Sequence, residues 1–202
     1  MSQARILTDR EFRKVLLFIA AHKHASRNKC LLYMSHLAGL RAKEIADLSI
    51  KDVLAEDGTI KDQIYLRPAQ TKGSRGRTVL LPEKLRAELQ DYICARFRLQ
   101  VKDLHVIHYT DTSRALFYSQ KSAVRGFSPN TLAQWFGTLY ASVGIDGASS
   151  HSGRRYFATH LADNAVNPKV IQSLLGHRQI QTTLLYCSVS PKAMRAAVEL
   201  LS

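Results

Sequence analysis

The chain has 202 residues, enough for one domain with a full core or one domain and a small appendage. Hydrophobic residues make up 46% of it, which excludes a disordered chain; no apolar run approaches the roughly 20 residues of a membrane span, and the first ten residues lack the apolar stretch of a signal peptide, so a soluble cytosolic protein is expected. Lys and Arg number 29 against 16 Asp and Glu, and a net charge of +13 repels itself and suits a polyanionic partner, nucleic acid first and an anionic membrane surface second.

The basic residues are spread along the chain, which reads as a charged face on a folded domain rather than a basic tail. Thr8 and Glu11 read as a capping box, with Phe12, Val15, Leu16 and Ile19 following at helical spacing. A second helix is expected over residues 27–37, ending near Gly39, and a short third one over 42–48. Ile60, Ile64 and Leu66, then Thr78, Val79 and Leu80, read as two strands joined by the basic turn 71–76, a β-hairpin. Pro82 starts a helix reaching about Phe97, and residues 115–119 form a candidate third strand. Helices are expected over 129–143, 151–164, 168–175, 180–187 and 191–201. The class is mainly α with a small antiparallel β-sheet (α+β), in a single domain spanning 1–202.

Cys30, Cys94 and Cys187 are odd in number and contain no C-x-x-C pair, which fits reduced thiols rather than a disulfide frame or zinc site. The densest chemistry lies C-terminal: His151 and Arg154 three apart on one helical face, His177 after the helix-ending Gly176, then Tyr186 nine residues on. Arg41 upstream opens a short helix, and Lys72 sits at the hairpin tip. Two arginine forks can grip the non-bridging oxygens of a phosphodiester and neutralise the charge of its transition state. A tyrosine phenol can attack and leave a covalent intermediate, given a base or a field of positive charge to take its proton. The expelled alcohol needs an acid, which a lysine on a hairpin can supply. No carboxylate cluster or Cys/His ligand set suggests a metal.

Arg41 in GLRAKEIADL, Lys72 in TKGSRGRTVLL, HSGR at 151–154, LLGH at 174–177 and Tyr186 in TTLLY resemble, in order and spacing, the tyrosine recombinase (phage integrase) family, over nearly the whole chain. The resemblance implies that family's catalytic-domain fold and a site-specific DNA recombinase of the integrase or invertase type. It implies that Arg41 and Arg154 clamp the scissile phosphate and that His177 donates a third hydrogen bond. Lys72 becomes the general acid for the 5′-hydroxyl, His151 a proton acceptor or transition-state donor, and Tyr186 the nucleophile that forms a 3′-phosphotyrosyl link. That link conserves bond energy, so rejoining needs no cofactor. Arg75 and Arg77 are expected on the DNA. Double-stranded DNA, a tetrameric synapse of four copies and accessory DNA-bending proteins are the implied partners.

Taken singly, these residues have plainer roles: Arg41 a cap, Lys72 a solvated hairpin lysine, His151 and His177 helix-end groups, Tyr186 a core or rim residue. Glu44 reads as a structural ion pair or surface contact, His160 as packed in its helix, and Cys187 as a small buried side chain. The helix at 191–201, with Met194, Ala197, Val198 and Leu201 on one face, packs on its own domain or docks on a neighbouring subunit. Relatives carry a separate N-terminal domain; here the pattern begins almost at once, which suits a natural single-domain member similar to short bacterial fimbrial phase-variation invertases, or an excised piece, with Met1 favouring the first. A type IB-like topoisomerase, a DNA-binding regulator that has lost catalysis and, distantly, a membrane-surface protein stay open as alternatives.

Overall fold

The structure is a computed structural model and describes residues 4–71, 75–109, 112–119 and 122–187, with residues 194, 195, 198 and 199. The first helix, α1 (Asp9–Ala20), starts as its sequence requires. The Thr8 hydroxyl accepts from the Glu11 amide, and the Glu11 carboxylate accepts from the Thr8 amide at 2.9 Å. Its Phe12, Val15 and Ile19 are buried. α2 (Ala25–His36) differs in kind: residues 30–36 are buried on every face, so it is a central helix rather than an amphipathic one. α1 packs against it, as do two later helices, Glu83–Phe97 and Ser152–Asp163.

The chain reverses after α2 at Gly39, whose φ is +64° and whose notional Cβ would stand 2.8 Å from Phe157 Cδ1. A side chain is thus disfavoured there by backbone and neighbour alike. The turn delivers Arg41 as the N-cap of α3 (Ala42–Ala46), which is shorter than the expected 42–48. A one-turn helix that the sequence reading omitted, α4 (Ile50–Val53), follows on a Ser49–Asp52 capping box.

The expected hairpin forms from β1 (Gln63–Leu66) and β2 (Arg77–Leu80), antiparallel with Ile64 opposite Val79. Ile64, Leu66 and Val79 face the core while Tyr65 and Leu80 face solvent, the alternation of a half-buried pair. Pro82 caps α5 (Glu83–Phe97), and a 3-10 helix, not anticipated, covers Val101–Tyr109. The candidate third strand does not join this hairpin. Only Tyr118–Ser119 is strand (β3), paired with β4 (Ser122–Gly126) in a second two-stranded sheet. The preceding residues are held by other partners: the Leu116 amide donates to the Leu48 carbonyl, and the Leu116 carbonyl accepts from the Tyr92 hydroxyl. Leu116 and Phe117 serve as core, not ladder.

The remainder is helical: α6 (Pro129–Ser142), α7 (Ser152–Asp163), α8 (Pro168–Leu175) and α9 (Ile180–Leu184). α9 ends earlier than expected, which leaves Tyr186 in a turn beyond it. Most of the expected 191–201 helix lies outside the described residues. Two apolar clusters result. The large one runs through α1–α6 and both sheets; a small one gathers Ala158, Ile171 and Leu175 from α7 and α8, with Phe157, Tyr186 and Cys187 packed on it. Among the described residues no helix is long and apolar enough to cross a membrane.

Candidate active site

Four separated segments converge where the two clusters meet. The first is the turn after α2. Arg41, about a quarter exposed, donates its backbone amide to Glu44 Oε2 at 2.8 Å and its guanidinium to Glu44 Oε1 at 2.9 Å. The spacing is that of a capping box, with the carboxylate at the third helical position reaching back to the cap. Glu44 is fully buried, so it is an internal ion pair and not a surface contact.

The second segment is the start of α7. Arg154 is 5% exposed, and its fork ends on two carbonyls: Gly39 at 2.6 Å and Leu175 at 2.5 Å. Leu175 ends α8, where carbonyls have no helical partner and the helix dipole is negative. A planar guanidinium satisfies both ends at once, which a lysine cannot. Burial first, and then the Arg41 charge, push Arg154 below the ordinary arginine value. Two cations this close are poised for an anion between them.

The third segment follows α8. Gly176 takes the left-handed C-cap conformation, with φ +64°, and turns the chain to present His177. His177 Nδ1 lies 2.9 Å from the buried Thr183 hydroxyl. Burial lowers the His177 pKa to about 4, with the charges of Arg154, Arg41 and Arg77 adding to it. The ring is therefore neutral at pH 7; the tautomer in which Nδ1 accepts from the Thr183 hydroxyl leaves Nε2 with the proton, as a donor. The fourth segment is the turn after α9. The Tyr186 ring stacks on His177 at 6.2 Å between centroids, and the Arg155 guanidinium stands 5.8 Å over it.

Arg41, His151, Arg154, Arg155, His177 and Tyr186 line one open cleft of about 500 Å³. His151 is the exposed N-cap of α7, on the cleft rim. Five of the six anticipated chemical residues thus share a cavity; Lys72 lies outside the described residues. The two arginines expected on DNA separate. Arg75 is exposed on an adjoining groove that Arg178 also lines. Arg77 is turned inward, its side chain only 10% exposed, because a buried carboxylate and a carbonyl claim its fork: Glu44 Oε2 at 2.8 Å and the Leu174 carbonyl at 2.7 Å.

Sequence reasoning missed Arg155, the contact of Thr183 with His177 and the pivotal place of Glu44. The Arg41-x-x-Glu44 spacing could have signalled the last, since it is a capping-box interval. Arg155 follows Arg154 immediately, but neighbours on a helix diverge, so nothing local marks it as a second cleft residue. His160 is exposed and stacks on Tyr156 at 5.6 Å rather than packing inside its helix. Cys187 is half-buried, its thiol 3.6 Å from the Thr183 carbonyl.

Comparison with known proteins gives a consistent picture. The profile of the phage integrase family matches residues 5–193. The tyrosine recombinase XerA of Pyrococcus furiosus is 29% identical over 194 residues, covering 96% of this chain and 60% of that protein. The crystal structure of XerA recombinase superposes with a TM-score of 0.73 at 23% identity, over 99% of this chain and 66% of that one. The Tn1549 transposon integrase, in complex with transposon right end DNA, superposes with a TM-score of 0.74 at 21% identity, over 100% and 67% of the two chains. The chain spans about 60% of the length of the XerA relative.

Proposed function

Because the chain belongs to the phage integrase family, we propose that it is a site-specific DNA recombinase that cleaves and rejoins strands through a 3′-phosphotyrosyl link at Tyr186. The observation that carries this reading is the meeting of Arg41, Arg154, His177 and Tyr186, from four segments, on one cleft. The two guanidinium groups hold the non-bridging oxygens of the scissile phosphate, and His177 Nε2 donates a further hydrogen bond. The phenol oxygen of Tyr186 attacks phosphorus, its proton passing to His151 or solvent. The 5′-oxygen leaves and takes a proton from Lys72. Attack by another strand's 5′-hydroxyl reverses the step.

The net charge of +13 and the cationic grooves around Arg75 and Arg178 support a duplex DNA partner. The Tn1549 integrase, of the same fold, has been solved with DNA. A cytoplasmic protein, a single catalytic domain, synapsis of four copies and help from DNA-bending proteins complete the proposal.

Covalent trapping on nicked DNA from the flanks of the native gene tests it, with Tyr186→Phe alongside. A denaturation-resistant protein–DNA band in the wild type and not in the variant is the expected result. Tight, salt-sensitive binding with no band on any substrate would replace the recombinase reading by that of a regulator.

A further inference from the structure

The inward turn of Arg77 places a third arginine behind the cleft. Its fork spans two structures that each carry a cleft residue. One N–H donates to the carbonyl of Leu174, in the last turn of α8, just before the cap that presents His177. Another donates to Glu44 Oε2, the same oxygen that accepts the Arg41 amide, while Glu44 Oε1 takes the Arg41 guanidinium. The approach is close: a Cβ on Gly176 would stand 2.5 Å from Arg77 Cδ. Gly176 is thus needed both for its left-handed backbone and for the passage of Arg77 beneath it.

The charges decide what this contact does. Glu44 is a fully buried carboxylate shared by two arginines. Burial works to raise its pKa, but the Arg77 charge, then the Arg41 amide bond, then the charges of Arg154 and Arg41 outweigh it and hold the carboxyl below its usual value. Glu44 is therefore ionised, and Arg77 supplies the largest compensation. Without Arg77, the carboxylate would be left to Arg41 as its remaining direct cation. A bare buried charge draws hard on such a partner. The Arg41 guanidinium, already bonded to Oε1, would then be drawn further onto the carboxylate and away from the phosphate.

We propose that Arg77 is a positioning residue: by sharing Glu44 and holding the Leu174 carbonyl, it limits the pull of Glu44 on the Arg41 guanidinium to the one bond at Oε1, so that the rest of that fork can turn to the scissile phosphate, and it sets the loop bearing His177. It touches no reacting atom. The inference rests on the recombinase reading of the cleft.

The test is a double-mutant cycle in single-turnover cleavage of the nicked substrate, with DNA affinity and melting temperature measured on the same proteins. The wild type is the control for the underlying reading; if it forms no Tyr186 link, that reading fails and not this one. Given a wild-type link, Arg77→Met should cleave about 100-fold more slowly, as expected for a displaced catalytic group, while binding DNA within a few-fold of the wild type. Adding Glu44→Gln, which removes the uncompensated charge but keeps an acceptor for the Arg41 amide, should recover part of that rate. Wild-type cleavage by Arg77→Met, or a slow variant that Glu44→Gln fails to improve, overturns the proposal, since a merely structural loss would not be relieved by a second buried substitution. Should Arg77→Met not fold, Arg77→Gln takes its place in the same cycle, since it removes the charge that compensates Glu44 but keeps a polar side chain. Slower cleavage at unchanged affinity that Glu44→Gln relieves supports the proposal, and wild-type cleavage overturns it.

Discussion

The large core and the small cluster of α7–α9 hold the two halves of the cleft by different means. On the core side, α2 is buried on all faces and the turn that follows it fixes Arg41. Arg154 is anchored across the seam, at Gly39 on one side and Leu175 on the other. On the other side, Tyr186 sits in a turn beyond a five-residue helix and leans on a cluster with three fully buried apolar residues. α7 belongs to both: Gly153 abuts Ser35 and His36 of α2, where a Cβ would stand 2.3 Å from Ser35 Oγ, while Ala158 enters the small cluster. Arg41, proposed to clamp phosphate, thus stands on the large core, and Tyr186, the proposed nucleophile, on the small cluster. Local opening follows such differences in buried contact, so the Tyr186 side is expected to open with less free energy than the Arg41 side.

The comparison breaks most visibly at the core. Phe136 on α6 is fully buried and stacks on Tyr140 at 6.2 Å. Phe136→Ala should cost about 4 kcal/mol of global stability, read from denaturant unfolding, and should lower protection of all helices together. A loss confined to α6 would show that the core is not one cooperative unit.

Acid probes the same core through a single buried ring. Burial holds His36 at a pKa of about 4, against an ordinary value of 6.5. A depressed histidine favours the folded state fully above 6.5; as pH falls from there towards 4, the unfolded chain takes up a proton that the folded one refuses. Stability should therefore drop by about 3 kcal/mol across that window, and His36→Gln should flatten the profile. His177 is shifted the same way but is half-buried at the cleft, so its share is smaller. A profile unchanged by His36→Gln would move the proton uptake to His177.

The small cluster should respond least in stability and most selectively in function. Ile171→Ala, at its centre, is expected to cost about 2 kcal/mol, the low end for such a truncation because few neighbours surround the site. Hydrogen exchange should quicken in residues 157–187 and spare α2, and cleavage should slow while DNA affinity holds. Equal quickening in α2 would merge the two regions into one.

Much of this was legible in the chain itself. The Thr8–Glu11 capping box, the 2.0 alternation of the hairpin, Pro168 opening α8 and Gly176 closing it are local rules, and local physics decides them. The order and spacing of Arg41, His151, Arg154, His177 and Tyr186 pointed to phosphoryl chemistry because those side-chain types suit that centre. What the chain could not show is which donors its carbonyls and carboxylates would claim. Arg75 and Arg77 look alike in sequence, two basic residues beside a hairpin turn. Only the folded structure separates them, because a buried Glu44 and the free carbonyl of Leu174 draw one fork inward and leave the other in solvent. The same holds for residues 115–119, whose strand-like pattern was spent on the core once Leu48 and Tyr92 took up the backbone of Leu116. Periodicity and capping act over a few residues and are written in the chain; the partner of a buried charge or carbonyl lies tens of residues away, and tertiary packing alone selects it.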